Sequence, residues 1–197
     1  MSALTSPQVP ETAEFPDFHG RPKRISLENT VAVKGFGKLK IRPIHLDDEE
    51  EMVRFHAGIS EESIYMRYFE YLGLDHRTSH ERLVRICTNT PQSYAIVVEK
   101  PATPHHPAAI LAIGRLTKTS QRQAANFDTL IADKAKNPQI GKILLTRLIK
   151  LSRAFGFQTL QGELLVADHD TLNLCRQLDF TVQTLPQDGL VLVTHPL

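Results

Sequence analysis

The chain has 197 residues, 41% of them apolar and 23% charged, with a formal net charge of +1. That composition suits one ordinary globular domain with an added arm, and its near-neutral balance gives no bulk electrostatic case for nucleic acid or acidic lipid as a partner. Two distant cysteines, Cys87 and Cys175, argue against a disulfide framework, and no run approaches the roughly 18 apolar residues of a membrane span. The N-terminal string MSALTSPQVPETAEFP has no basic segment followed by an apolar core, so the expected location is cytoplasmic.

Residues 1–35 read as an arm or tail with Pro7, Pro10, Pro16 and Pro22 and no periodicity. Phe15 and Phe18 are candidates for pinning it to the body. The domain proper is expected over 36–197. Lys38–Pro43 alternates like a strand, which Pro43 ends. Asp47 and Asp48 are expected to cap a helix through His56, with Glu49, Glu50 and Glu51 at its positive end. Ser60 with Ser63 opens a second helix, SEESIYMRYF. A third spans Ser79–Cys87, with Leu83, Ile86 and Cys87 on one face.

Strands follow at Tyr94–Val98, Ala108–Leu116 and Ala125–Ala132, separated by the turns KPATPHHP and KTSQRQ. A long helix runs from Gln139 to Phe155, with Ile140, Leu144, Leu148, Leu151 and Phe155 as its apolar stripe and Gly156 as its stop. Leu160–Val166 is a strand, and Asp168 caps a short helix through Leu178. Phe180–Leu185 and Leu190–Thr194 close as a hairpin around PQDG. This order of elements is an α/β layered domain with a mixed sheet.

Several strings carry a more specific likeness. IRPIHLDDEEEMVRFHAGISEESIYMRYF, ILAIGRL and GELLVADHDTLNLCRQLDF occur in the order of the opening, third strand and closing strand–helix–strand of the GNAT family of N-acetyltransferases. The chain resembles that family from about Leu39 to Val193, and within it the bacterial protein-lysine acetyltransferase branch. The resemblance implies a mostly antiparallel sheet of about seven strands flanked by four or five helices. It implies acetyl-CoA as co-substrate, no metal, and an amine acceptor that is a small molecule or a protein lysine. It leaves a homodimer open.

Against that pattern the candidate site residues are as follows. A helix N-terminus with glycines is a backbone cradle for phosphate. The family's Gln/Arg-x-x-Gly-x-Gly/Ala reads here as Lys136-Asn137-Pro138-Gln139-Ile140-Gly141, followed by Lys142. Gln139 stands where the family has its first glycine, Gly141 keeps the second, and Lys134, Lys136 and Lys142 offer direct charge. The preceding strand, with Leu130, Ile131 and Ala132, is where the resemblance places pantetheine, bound by backbone groups. Asn126 replaces the family's glutamate base and cannot accept a proton in that role; Asp128, two residues on, and Glu163 are the candidate substitutes. Cys175 takes the place of the family's tyrosine acid, and packing as a small buried hydrophobe is its alternative.

Asp168 stands where the family often has an asparagine contacting CoA, and it also suits a helix cap. Asp179 replaces a common glycine before Phe180, which points to a different turn. Tyr65, Arg67 and Tyr68 are candidate acceptor-side contacts, while His76, His80, His105 and His106 read as surface residues. The expected activity is transfer of an acetyl group from acetyl-CoA to an amine by direct attack. The alternative is a binding or regulatory module of the same fold, suggested by the departures at Asn126, Gln139, Asp168 and Asp179.

Overall fold

The structure is a computed structural model, and residues 26–121, 123–186 and 189–197 are described. The sheet begins with β1 (Asn29–Val33), in a segment expected to belong to the arm. β1 turns back through Gly35 and Gly37, both at positive φ, and pairs along the whole of β2 (Gly37–Pro43). Residues 1–25 of the expected arm lie outside the described residues.

After a single 3-10 turn at Leu46–Asp48 come four helices: α1 (Glu49–Ala57), α2 (Glu61–Tyr68), α3 (Leu74–Arg77) and α4 (His80–Cys87). The chain then forms β3 (Ser93–Lys100), β4 (Ala109–Lys118) and β5 (Ala124–Ile131). A second 3-10 turn, Asp133–Ala135, leads into α5 (Pro138–Phe155). The remaining elements are β6 (Thr159–Leu165), α6 (His169–Gln177), β7 (Thr181–Thr184) and β8 (Leu190–Pro196). The result is one eight-stranded sheet in the order β1-β2-β3-β4-β5-β6-β8-β7, antiparallel except where β5 meets β6. The expected mixed, mostly antiparallel layering holds, with one strand more than about seven and with the short α3 added.

Side-chain alternation sorts the helices into two layers. On β4, a Cβ at Gly114 would meet Leu148 and Leu144 of α5 at 2.9 and 3.0 Å, so α5 packs closely against that face. The next residue, Arg115, points the other way and donates to the Ile86 carbonyl of α4. α1 and α2 share the Arg115 side, while α6 sits beside α5 through Leu174 against Gly141. Ile140, Leu144, Leu148 and Leu151 are all fully buried, as the stripe requires. Each such side chain contributes on the order of 1.5–3 kcal/mol of burial. Phe155, expected on the same stripe, is half-buried and packs edge-on against Tyr94. No helix among the described residues is long and apolar enough to cross a membrane.

Local chemistry explains where elements start and stop. Ser60 caps α2, its Oγ accepting from the Ser63 N–H, and Asp168 caps α6, accepting from the Thr171 N–H at 3.1 Å. Gly156 ends α5 at φ 89. Two expectations need correction. Asp48 does stand at the N-cap position of α1, but its carboxylate is taken by the Arg42 guanidinium and the His45 N–H instead of the helix. Asp179 does not build a different turn: at φ 62 it adopts the left-handed conformation that glycine would supply, and the Phe180 N–H closes back on the Cys175 carbonyl.

Candidate functional site

β5 and β6 form a parallel pair only at their start. Ala124, Ala125 and Asn126 pair with Thr159, Leu160 and Gln161, and the strands then part. β5 continues five residues past that point, to Ile131, and β6 continues to Leu165. The Phe127 ring lies on Gly162 across the opening, where an added Cβ would come within 2.8 Å of it.

The ladder on the other edge of β5 decides which backbone groups the opening exposes. The Ala132 N–H donates to the Leu111 carbonyl at 2.9 Å. In an antiparallel ladder, bonded pairs alternate, so Leu130 and Asp128 also spend their N–H and C=O on β4. Thr129 and Ile131 turn theirs toward β6, beyond its last paired residue. Of the three β5-end residues named from sequence, Ile131 therefore has its backbone in the opening, while Leu130 and Ala132 do not. Thr129 is not distinguishable from sequence, which does not disclose which parity faces which neighbour.

Asp128 lies on the opposite face of β5 from Phe127, toward α2. Its Oδ1 pairs with the Arg67 guanidinium at 2.5 Å, and Arg115 is its partner in the β4 register. Glu163 follows Gly162 on β6, so it points to that same face from the other arm of the opening, and it is exposed. Cys175 is placed elsewhere. It is 0% exposed within the core, and burial, with Asp168 nearby, pushes its thiol up to about 12. It presents no surface to a ligand, and its role is packing.

The start of α5 is closed by its own groups. Pro138 has no N–H, the Gln139 N–H donates to Asn137 Oδ1 at 2.8 Å, and the Ile140 and Gly141 N–H groups donate to the Asn137 carbonyl at 2.9 and 3.3 Å. Gln139 carries no left-handed strain, since its φ is not positive. Gly141 serves packing: a Cβ there would meet Leu174 at 3.2 Å and Ile131 at 3.5 Å. Ile140 is buried, whereas Gln139, Lys142, Lys134 and Lys136 are exposed. Lys136 pairs with Asp133 at 3.2 Å. Asp133 also accepts from the Ser60 N–H and the Ser63 hydroxyl at the N-terminus of α2. Partial burial opposes its charge, but these donors and Lys136 outweigh that and hold it down to about 2. The approach to α5 thus carries a fixed negative charge tied to α2.

On the α2 side a cavity of about 350 Å³ is lined by Arg67, Tyr68, Arg82, Arg85, Ile86 and Arg115. A smaller space of about 30 Å³ shares several of these walls and reaches Asp128, Leu130 and His56. Arg67 and Arg82 both lie over the Tyr68 ring, at 4.8 and 5.0 Å from its centroid. Arg115 is held by the Ser93 hydroxyl and the Ile86 carbonyl. Burial pulls its guanidinium below the ordinary value, with Asp128 opposing that shift. Arg67 and Tyr68, expected on the acceptor side, are brought into this cavity; Tyr65 instead stacks on Tyr71. Arg82, Arg85 and Arg115 join them in this cavity from outside the expected acceptor set. The available signals were an i, i+3 arginine pair on a helix and a lone arginine in the apolar string ILAIGRL. His80 hydrogen-bonds Glu49, outside this cavity.

His56 is 1% exposed and neither ring nitrogen has a partner among the described residues. Burial, then Arg77 and Arg82, depress it to about 4. The unfolded chain takes up a proton there near pH 6.5 that the folded chain refuses. Its contribution is therefore complete above pH 6.5 and is lost as pH falls toward 4, by roughly 3 kcal/mol. Urea unfolding of wild type and His56→Leu across that range should show a shallower pH slope in the variant; equal slopes reject the assignment.

No protein-family model matches the chain. Solved structures do. The GNAT domain of S. lividans PAT superposes with a TM-score of 0.74 at 21% identity, over 87% of this chain and 97% of that one. Mycobacterium smegmatis RimJ in complex with CoA-disulfide gives a TM-score of 0.68 at 12% identity, over 86% of each chain. PaiA N-acetyltransferase from Thermoplasma acidophilum in complex with coenzyme A gives 0.62 at 12%, over 81% of this chain and 99% of that one. At such identities the likeness shows the fold, and the chain has the GNAT fold.

Proposed function

We propose that this chain is an acyl-CoA-dependent N-acyltransferase, acetyl-CoA being the simplest donor and an amine the acceptor. The observation that carries the reading is the parting of β5 from β6, with the Thr129 and Ile131 backbone groups turned into the opening and Asp128 on the adjoining face. Solved neighbours of the same fold hold CoA-disulfide and coenzyme A, which supports a CoA ligand for that opening.

The chain's residues fit the two ends of such a ligand unequally. An extended chain with amides suits strand edges that offer both N–H and C=O, as Thr129 and Ile131 do. The first turn of α5 offers a pyrophosphate no N–H that is not already engaged by Asn137. The exposed Lys134 and Lys142, and Lys136 when released from Asp133, supply charge at that end instead. Asp168, committed to the α6 cap, has no such part to play.

The donor supplies an activated thioester; the protein's own work is to hold two reactants in register and to take a proton. Asp128 is the acceptor of that proton, its Oδ1 on Arg67 fixing the carboxylate in place. Glu163, on the far arm, is the weaker candidate because it is exposed. The closed α5 N-terminus favours a second reading, a module of this fold that binds without turnover.

Calorimetric titration of the full chain with acetyl-CoA separates these readings. Saturable binding with CoA release in the presence of amines is the expected result. Saturable binding without release across small amines and lysine peptides leaves the second reading standing. Absence of heat at millimolar acetyl-CoA ends the enzyme reading.

A further inference from the structure

The cavity beside the candidate site has a charge pattern that acyl transfer by itself does not require. Four arginines line it, and the joined inner space adds a single carboxylate, Asp128. Asp128 answers Arg67 alone at ion-pair distance; among the described residues no carboxylate lies within 4.0 Å of Arg82, Arg85 or Arg115. Among the described residues the inaccessible Arg82 Nε has no hydrogen-bond partner, and Arg115 hydrogen-bonds a hydroxyl and a carbonyl. Guanidinium groups gathered at a partly buried wall repel one another, and keeping four of them there with a single carboxylate is unfavourable unless a further anion shares them. Tyr68 keeps Arg67 and Arg82 close together by stacking, which favours their joint use on one ligand.

We propose that this cavity binds a phosphate-like dianion carried by the acyl acceptor, so that the acceptor is a small zwitterion with its amine toward Asp128 and its oxyanion among the arginines. This rests on the acyltransferase reading for the amine end, whereas the anion site stands by itself. The charge balance sets the ligand class. Four guanidinium groups less one carboxylate leave about three positive charges, which suits a dianion better than a single carboxylate. The cavity, at about 350 Å³, suits a compact molecule. Arg85 is exposed and stands at the entrance, while Arg115 sits beside Asp128 at the inner end. Asp128 is the one carboxylate among these groups and lies at the inner end, so it is the acceptor available to an ammonium that enters first, with the oxyanion left among the outer arginines.

Inorganic phosphate is the first probe, titrated by calorimetry at fixed low ionic strength. One site per chain is expected. Arg85→Gln and Arg82→Gln should weaken it about 10–100-fold, the range for losing a charge-assisted contact. Lys150→Gln, an equal charge change at an exposed position of α5, should leave it unchanged. Arg85 is exposed, so its variant tests the site even if Arg82→Gln fails to fold. No phosphate binding by wild type, or equal weakening by Lys150→Gln, overturns the site.

The second probe compares O-phosphoethanolamine with ethanolamine as acceptors, read by CoA release. Preference for the phosphorylated amine by at least about tenfold in KM, lost in Arg85→Gln, is the expected result. Equal use of both amines overturns the zwitterion and leaves acyl transfer intact. Phosphate binding lost in Arg85→Gln with no turnover of any amine confirms the anion site and ends the acyltransferase reading. Acetyl-CoA affinity should be unchanged by Arg85→Gln; a loss matching that for phosphate assigns the arginines to the donor's phosphates and overturns the proposal.

Discussion

Asp128→Asn is expected to lower kcat/KM for amine acylation by about 10²–10⁴-fold, the usual worth of a positioned general base. The substitution keeps size and shape but removes proton acceptance. Glu163→Gln should cost less than about tenfold, because Glu163 is exposed and has no ion-pair partner among the described residues, whereas Asp128 is anchored by Arg67 and faces Arg115. Loss of fold and loss of chemistry separate cleanly in this variant. Removing a negative charge from the arginine-lined wall should tighten phosphate binding, and a disordered protein would lose it. Unchanged rates in Asp128→Asn, or an unchanged pH–rate profile, reject Asp128 as the base.

Arg42→Met is expected to cost about 3–5 kcal/mol of stability at neutral pH, the scale for stripping the cation from a buried charge cluster. Arg42 on β2 donates through Nε to Glu99 of β3 at 2.6 Å and forms two 2.7 Å bonds to Asp48. The three side chains are 10–14% exposed, so methionine would leave two nearly buried carboxylates facing each other. The cluster ties the β2–β3 pair to the turn that launches α1. Hydrogen bonding to Asp48, then Glu99, outweighs burial and raises the Arg42 guanidinium; burial resists the Asp48 charge, but Arg42 and the His45 N–H overcome it and lower its carboxyl.

In wild type, Asp48 contributes stability above the ordinary carboxylate range, near pH 3.9, and that contribution fades as pH drops toward its folded value. In the variant Asp48 loses the cation that lowers its carboxyl while burial still opposes its charge, so it suffers less in acid. The gap between wild type and variant should therefore shrink between pH 7 and pH 4 in urea unfolding. A loss below about 1 kcal/mol at pH 7, or a gap that widens in acid, contradicts this account.

How far the sequence could be read depended on whether a feature was local. The Ile140–Leu144–Leu148 stripe, Ser60 before α2, Asp168 before α6 and Gly156 after α5 were all legible, because helix periodicity and capping involve residues within a turn or two. Asp48 misled for the complementary reason. It stands where a cap belongs, but Arg42 competes for it from another strand and wins with two charge-assisted bonds. β1 is indistinct from the arm in sequence because an edge strand that is exposed at most positions carries little apolar alternation.

The sequence by itself determined the order of elements apart from β1 and α3, the layered class, the mixed sheet and the helix that connects β5 to β6. These arise from hydrophobic period, capping residues and turn residues, which act over short chain distances. Only the tertiary structure decided what that opening offers. It set which β5 residues turn their amides away from β4, and it closed the start of α5 with Asn137. It moved Cys175 into the core, and it gathered Arg67, Arg82, Arg85 and Arg115 around one space from two helices and a strand. Those outcomes depend on register and on contacts between residues far apart in the chain, and electrostatic balance exists only once such residues meet.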